Sequence, residues 1–198
     1  MRKGEQTRHE IIRKAAPIFN QKGYDGAALS DLMRATGLEK GGIYRHFASK
    51  EELAAEAFDY AWAETFDARI HDLDAIANSV DRVKRMVANF VERRGIIPGG
   101  WPLLNTAIDN DDGNSVLRQR ARKALSGWRS YIISIVRDGI KAGEIRAKTD
   151  AKKLATLMIS SLEGAVMVYR LERSEDALRA VRAHLDSYLE AEIRAASK

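Results

Sequence analysis

Lys40, Tyr44, Arg45, His46 and Lys50 fall within one short stretch of the chain, with Gly41-Gly42 between the first two. These groups suit the reading of a nucleic acid better than the breaking of a bond. Lys40 and Arg45 can donate to guanine O6 and N7 in a major groove, and the bidentate fork belongs more naturally to the arginine. Gly41 and Gly42 present no side chain to a base. Either they let the backbone approach the groove closely, or they simply loosen a loop. Tyr44 is a hydrogen-bonding aromatic that could also fill a core. With Ile43 already in the inward slot, the outward role is the better reading. Phe47 belongs to the core. His46 is either a contact or a structural residue at a helix end.

Catalytic patterns are missing from the sequence. Its four histidines (His9, His46, His71, His184) form no H-E-x-x-H pair, and there is no phosphate-cradling glycine loop or nucleophile elbow. No cysteine is present, which removes disulfides, thiolate catalysis and cysteine zinc sites. Asp109, Asp111 and Asp112 lack the EF-hand spacing and read as a solvated turn rather than a calcium loop. An enzyme is therefore not expected, nor is a metal or cofactor.

The net charge of +5 is unevenly placed. Residues 1–50 carry the basic groups Arg2, Lys3, Arg8, Arg13, Lys14, Lys22, Arg34, Lys40, Arg45 and Lys50 against the acids Glu5, Glu10, Asp25, Asp31 and Glu39, while the rest of the chain is balanced. Such asymmetry fits a polyanionic partner for the N-terminal part, or an ordinary solvated surface. Apolar residues at 45% and charged residues at 31% describe a soluble globular chain. No uninterrupted apolar run is long enough for a bilayer and no leader precedes the first helix, so a cytoplasmic protein without membrane contact is expected.

The elements that must hold these groups read as helices throughout. The first runs from about Gln6 to Gln21, with a kink expected at Pro17 and a stop at Gly23. Short helices follow at about 29–36 and 40–47, separated by Gly37. Ser49 caps the next, to about Ile70, in a capping box with Glu52. Further helices are expected from Asn78-Ser79 to about Arg94, about Pro102 to Ile108, Ser115 to Lys141, about Ala151 to Tyr169, and about Glu175 to Ala195 after Ser174. Gly95 and Pro98-Gly99-Gly100 mark the clearest loop. Two short helices about a glycine, with Leu29, Leu32, Met33, Leu38 and Ile43 inward, form a helix-turn-helix pattern.

The segments Gly23-Tyr24-Asp25, Asp31-Leu32-Met33, Ala35-Thr36-Gly37-Leu38, Lys40 to Phe47 and Ser49 to Leu53 resemble the tetracycline-repressor (TetR) family of bacterial regulators, chiefly through Gly-Ile-Tyr-x-His-Phe-x-Ser-Lys-Glu. The strong resemblance covers about residues 5–60. It implies that residues 40–47 are a recognition helix, with Lys40, Gly41, Gly42 and Arg45 near base edges and Tyr44 on a phosphate or base. It also implies His46 near the backbone and Lys50 on a phosphate; Ala28, at the first short helix, stands with them as a DNA contact. Glu39 stands where the family often has serine, and Gly42 where it often has threonine. The family commonly has threonine near Ala27. These departures bear on which operator is read.

The implied architecture is all-α, about nine helices: a three-helix DNA-binding head (1–60) and a larger body (61–198) for ligand binding and dimerisation. The segment 154–168 is too apolar for one buried stripe, and Gly164 within it costs about 1 kcal/mol relative to alanine. A two-fold dimer would compensate, and the resemblance implies one. Leu157, Ser161, Gly164, Ala165, Leu185 and Tyr188 are its expected contacts; the alternative is a monomer with a buried central helix. His71, Trp101, Asn105, Trp128, Tyr131, Glu163 and Met167 are the expected lining of a small-molecule effector site, though each alone also fits ordinary core or surface. The expected activity is ligand-released repression through a palindromic double-stranded operator. The rivals are a non-specific DNA-coating protein, separable by its lack of operator preference, and a helical enzyme.

Overall fold

The computed structural model describes residues 3–93 and 96–196; the expected helix end at Arg94, the loop glycine Gly95 and the basic Arg2 lie outside them. Nine α-helices are found among the described residues: α1 (Lys3–Gly26), α2 (Leu29–Thr36), α3 (Lys40–Tyr44), α4 (Lys50–Ile70), α5 (Ser79–Glu92), α6 (Pro102–Asp109), α7 (Ser115–Lys141), α8 (Ala151–Glu172) and α9 (Asp176–Tyr188). A π turn, Leu189–Ile193, follows α9, and the extended backbone among these residues is limited to an isolated bridge between Ile145 and Arg194. The all-α expectation holds.

Two compact units divide the chain: Met1–Phe66 with Gly95–Leu125, and Asp67–Arg94 with Ser126–Lys198. The first reaches further than a head of 60 residues, because α6 packs on α1. Asn20 Nδ2 donates to the carbonyls of Pro98 and Gly100 at 2.9 and 3.0 Å. Asn105 Nδ2 donates to Asn20 Oδ1 at 2.9 Å and to the Gly99 carbonyl at 3.0 Å. Its core joins Ile11, Ala15 and Ala16 of α1 to Leu32, Ile43, Phe47, Leu53, Ala57 and Ala61.

Helix α1 passes through Pro17 with helical dihedrals; the break lies at Gly23 (φ 70°, ψ 176°). Pro17 forfeits one hydrogen bond, but Ile11, Ala15, Ala16 and Asn20 are buried on both sides of it and hold the axis. At Gly23 the positive φ requires glycine, and a methyl there would lie 2.7 Å from both Asp109 carboxylate oxygens.

In the second unit, α5, α8 and α9 bury Val80, Val83, Met86, Val87, Ala155, Met158, Leu162, Leu178 and Leu185. Asn78 caps α5 by accepting from the amides of Val80 and Asp81, and Trp128 stacks on Phe90 with centroids 5.6 Å apart. By length and composition α8 is the one described helix apolar enough to cross a membrane, although Lys152, Lys153, Glu163 and Arg170 interrupt its apolar run. Its apolar residues have two other destinations, the core of the unit and one exposed face.

Candidate nucleic-acid interface

Gly37 takes the left-handed conformation (φ 71°, ψ 18°) and its amide bonds to the Met33 carbonyl at 2.9 Å, so α2 ends and α3 can start in a new direction. Helix α3 has five residues rather than the eight of 40–47; Arg45 and His46 form the turn after it. Glu39 makes no capping bond, as its side chain predicts, and neither does Ala28 at α2. Ile43 and Phe47 are buried, which turns the intervening positions outward: Lys40, Gly41 and Arg45 are exposed, and Gly42, Tyr44 and His46 half-buried. Ala28 is also exposed, while Ala27 is fully buried.

The first turn of α4 is fixed from both sides. The Glu52 amide donates to Ser49 Oγ at 3.0 Å, and Glu52 Oε2 accepts from the Ala48 amide at 2.6 Å. Arg8 of α1 bridges Glu52 at 2.8 Å and Glu56 at 2.6 Å, with its guanidinium 4.3 Å over the Phe47 ring. This clamp joins α1 to the end of the reading segment, and nothing in the local motif pointed to it. The Lys50 ammonium lies 4.6 Å over the Tyr24 ring.

Ion pairing separates the basic residues of this unit. Arg13 and Lys14 pair with Glu10, Lys22 and Arg34 with Asp31, and Arg8 with its two glutamates. The Lys22 ammonium, with Arg34 adding to it, holds the Asp31 carboxyl below the ordinary range. Among the described residues Lys40 and Arg45 form no ion pair, so the charge excess is exposed where the reading segment faces solvent.

The expected effector residues divide between the units. Trp101 is buried edge-on to Trp62 at 5.4 Å, and the Asn105 amide is engaged with Asn20 and Gly99; both belong to the first unit. Trp128 is buried and Tyr131 half-buried in the second, where burial also raises the Tyr131 phenol. Glu163 acts electrostatically on Arg69, whose guanidinium burial pulls down to about 10 while Glu163 opposes the shift. Arg69 was missed from sequence, although it continues the buried i+4 row Ala57, Ala61, Thr65. His71 is exposed, 3.7 Å from Asp72. Met167 is 48% exposed and lies on the outer face of α8 rather than in a lining. A groove of about 300 Å³ between α1 and the α2–α3 turn is lined by Gln6, Thr7, Glu10, Ile11, Lys14, Thr36 and Leu38, none of them an expected effector contact.

Of the expected dimer contacts, Leu157 is exposed, Ser161, Gly164 and Tyr188 are half-buried, and a methyl built on Gly164 meets nothing within 4 Å. Ala165 and Leu185 are 3% and 0% exposed; they pack inside their own unit, which corrects their place in that set. Helical phase turns Leu157, Gly164 and Leu171 to one side, and Ala165 and Leu185 to the core.

The family description "Bacterial regulatory proteins, tetR family" matches residues 11–57, and "Tetracyclin repressor-like, C-terminal domain" matches residues 79–185. The chain belongs to the TetR family. A TetR regulator from Chloroflexus aurantiacus J-10-FL, solved by crystallography, is 44% identical with a TM-score of 0.93, over 99% of this chain and 100% of that one. A TetR-family regulator from Cytophaga hutchinsonii is 33% identical with a TM-score of 0.92, over 100% and 99%. The transcriptional repressor DhaR of Mycobacterium sp. strain GP1 is 25% identical over 175 residues, 86% of each chain. As a TetR-family member, the protein is a DNA-binding transcriptional regulator, and α2–α3 is its helix-turn-helix.

Proposed function

We propose that the protein is a dimeric repressor that occupies a palindromic operator in the cytoplasm and is released by a small molecule bound in its body. The reading rests chiefly on one observation: Lys40 and Arg45 are exposed and form no ion pair among the described residues, whereas Arg8, Arg13, Lys14, Lys22 and Arg34 are paired with acids. In this reading Arg45 and Lys40 meet base edges, while Tyr44, His46 and Lys50 fix the register on phosphates with Ala28 alongside. Gly41 and Gly42 admit the backbone to the groove.

Dimerisation is supported by the outer face of α8. Leu157, Met167 and Leu171 are 41%, 48% and 77% exposed, in helical register with the open Gly164. An isologous pairing of this face would set two heads on two half-sites. Repression is supported by the resemblance to DhaR. Trp128, Tyr131 and Glu163, with Arg69, are the groups we assign to effector recognition. Coupling of about 1–3 kcal/mol between effector and operator is expected. The test is the mass of the complex with the operator duplex, for wild type and Tyr44→Ala. Two chains per duplex, and a Tyr44→Ala dimer that no longer binds, support the reading. One chain per duplex, or unchanged affinity of Tyr44→Ala, overturns it.

A further inference from the structure

Tyr24 lies before the helix-turn-helix, just past the break in α1, yet its ring sits directly under the Lys50 ammonium at 4.6 Å. Two constraints fix that ring. Its backbone is turned by Gly23, and the Tyr24 amide donates to Asp109 Oδ2 of α6 at 3.0 Å. Asp109 also fills the space that a side chain at position 23 would need. The ring itself packs against the buried cluster of Ala54, Ala55 and Leu117, which ties it to α4 and α7. The adjoining turn of α4 is held as well, because Asn114 Nδ2 donates to Glu51 Oε1 at 2.6 Å. Tyr24 stands within the electrostatic reach of Tyr44: burial raises its phenol, and Glu51, Asp25 and Tyr44 add to the shift.

A lysine ammonium is a hydrated point charge on a long flexible stem, and it loses rotamer freedom when it meets a phosphate. An aromatic face attracts the ammonium by its quadrupole and leaves the opposite N–H donors available. A lysine held in this way meets the phosphate with part of that ordering already done. We propose that Tyr24 is a positioning residue for DNA binding: its ring, anchored through Asp109, presents the Lys50 ammonium to a DNA phosphate at the start of α4. The inference rests on the DNA-contacting role assigned to Lys50 above.

The test uses the full-length protein and the duplex recovered by selection from a random pool, titrated across a salt series. Lys50→Ala should flatten the slope of log affinity against log salt by about 0.9, the loss of one phosphate contact. Tyr24→Leu should lower affinity by about two- to fivefold and flatten the slope by part of that amount. Tyr24→Phe, which keeps the ring face, should retain both. A purely structural role would reduce the binding-competent fraction and leave the slope alone. If Lys50→Ala flattens the slope while Tyr24→Leu matches wild type, the positioning role is wrong. If Lys50→Ala leaves the slope unchanged, the role of Lys50 itself is wrong and the proposal falls with it. A second readout needs no variant: ring current from Tyr24 should shift the Lys50 Hε protons upfield of the other lysines, and unshifted protons overturn the proposal.

Discussion

Two exposed faces of this molecule depart from an ordinary surface in opposite ways. The α3 face presents Lys40, Gly41 and Arg45, cationic and nearly bare, over a core sealed by Ile43 and Phe47. The α8 face presents Leu157, Gly164, Met167 and Leu171, apolar and uncharged. The first fits a polyanion, since its positive charge is not spent on neighbouring acids. The second fits another apolar face. On the proposed function, recognition and assembly would fall to different chemistry on different helices, and each could be perturbed without the other.

The largest effect should come from the apolar face. Met167→Glu with Leu171→Glu puts like charges on the proposed two-fold interface, where each substitution would occur twice. Sedimentation should report monomers, and operator affinity should fall by at least about a hundredfold. A dimer that persists in this variant would place the interface elsewhere.

Arg45→Ala should act only on the other face. It should cost about 1–3 kcal/mol of operator binding and relax the preference at one base pair, with dimer mass unchanged. An equal loss on every sequence would make Arg45 a phosphate contact instead.

The two glycines of α3 differ in the space around them. A methyl at Gly41 meets nothing within 4 Å, whereas one at Gly42 comes within 3.3 Å of Leu38 Cβ. Gly41→Ala should therefore raise Tm by up to about 2–4 °C through helix propensity. If close backbone approach to DNA is the reason for the glycine, the same variant should lose operator affinity. Gly42→Ala should bring no gain in Tm. Unchanged affinity of Gly41→Ala would leave its glycine without a DNA role.

The smallest effect concerns the neutralised cations. Lys22 depresses the Asp31 carboxyl, and Arg34 adds to it. A depressed folded pKa contributes stability above the unfolded pKa and loses it as pH falls through the folded value. Acidification below the ordinary carboxylate range should therefore release Lys22 and Arg34 and increase non-specific DNA affinity at low salt. Asp31→Asn should show that increase already at neutral pH. Identical non-specific binding by this variant and wild type would show that the two cations do not face DNA.

The two faces were unequally legible. The α3 face follows from local sequence: the glycine turn, inward Leu32 and Ile43, and the Ser49–Glu52 box are all read within a few residues. The α8 face was visible only as excess apolarity. Helical phase decides which residues point out, and Ala165 and Met167 fell on the opposite sides from those expected. Arg8 and Tyr24 were illegible as parts of the site because their partners, Glu56 and Asp109, lie far along the chain. The same distance hid the attachment of α6 to α1 through Asn20 and Asn105. The break at Gly23 rather than Pro17 shows packing on both sides of a proline overriding its local cost.

The decisive experiment is selection of bound duplexes from a random pool at physiological salt. Two identical heads require a palindrome with two half-sites about one helical turn apart. Recovery of no consensus from protein shown to be folded and dimeric would contradict the proposed function.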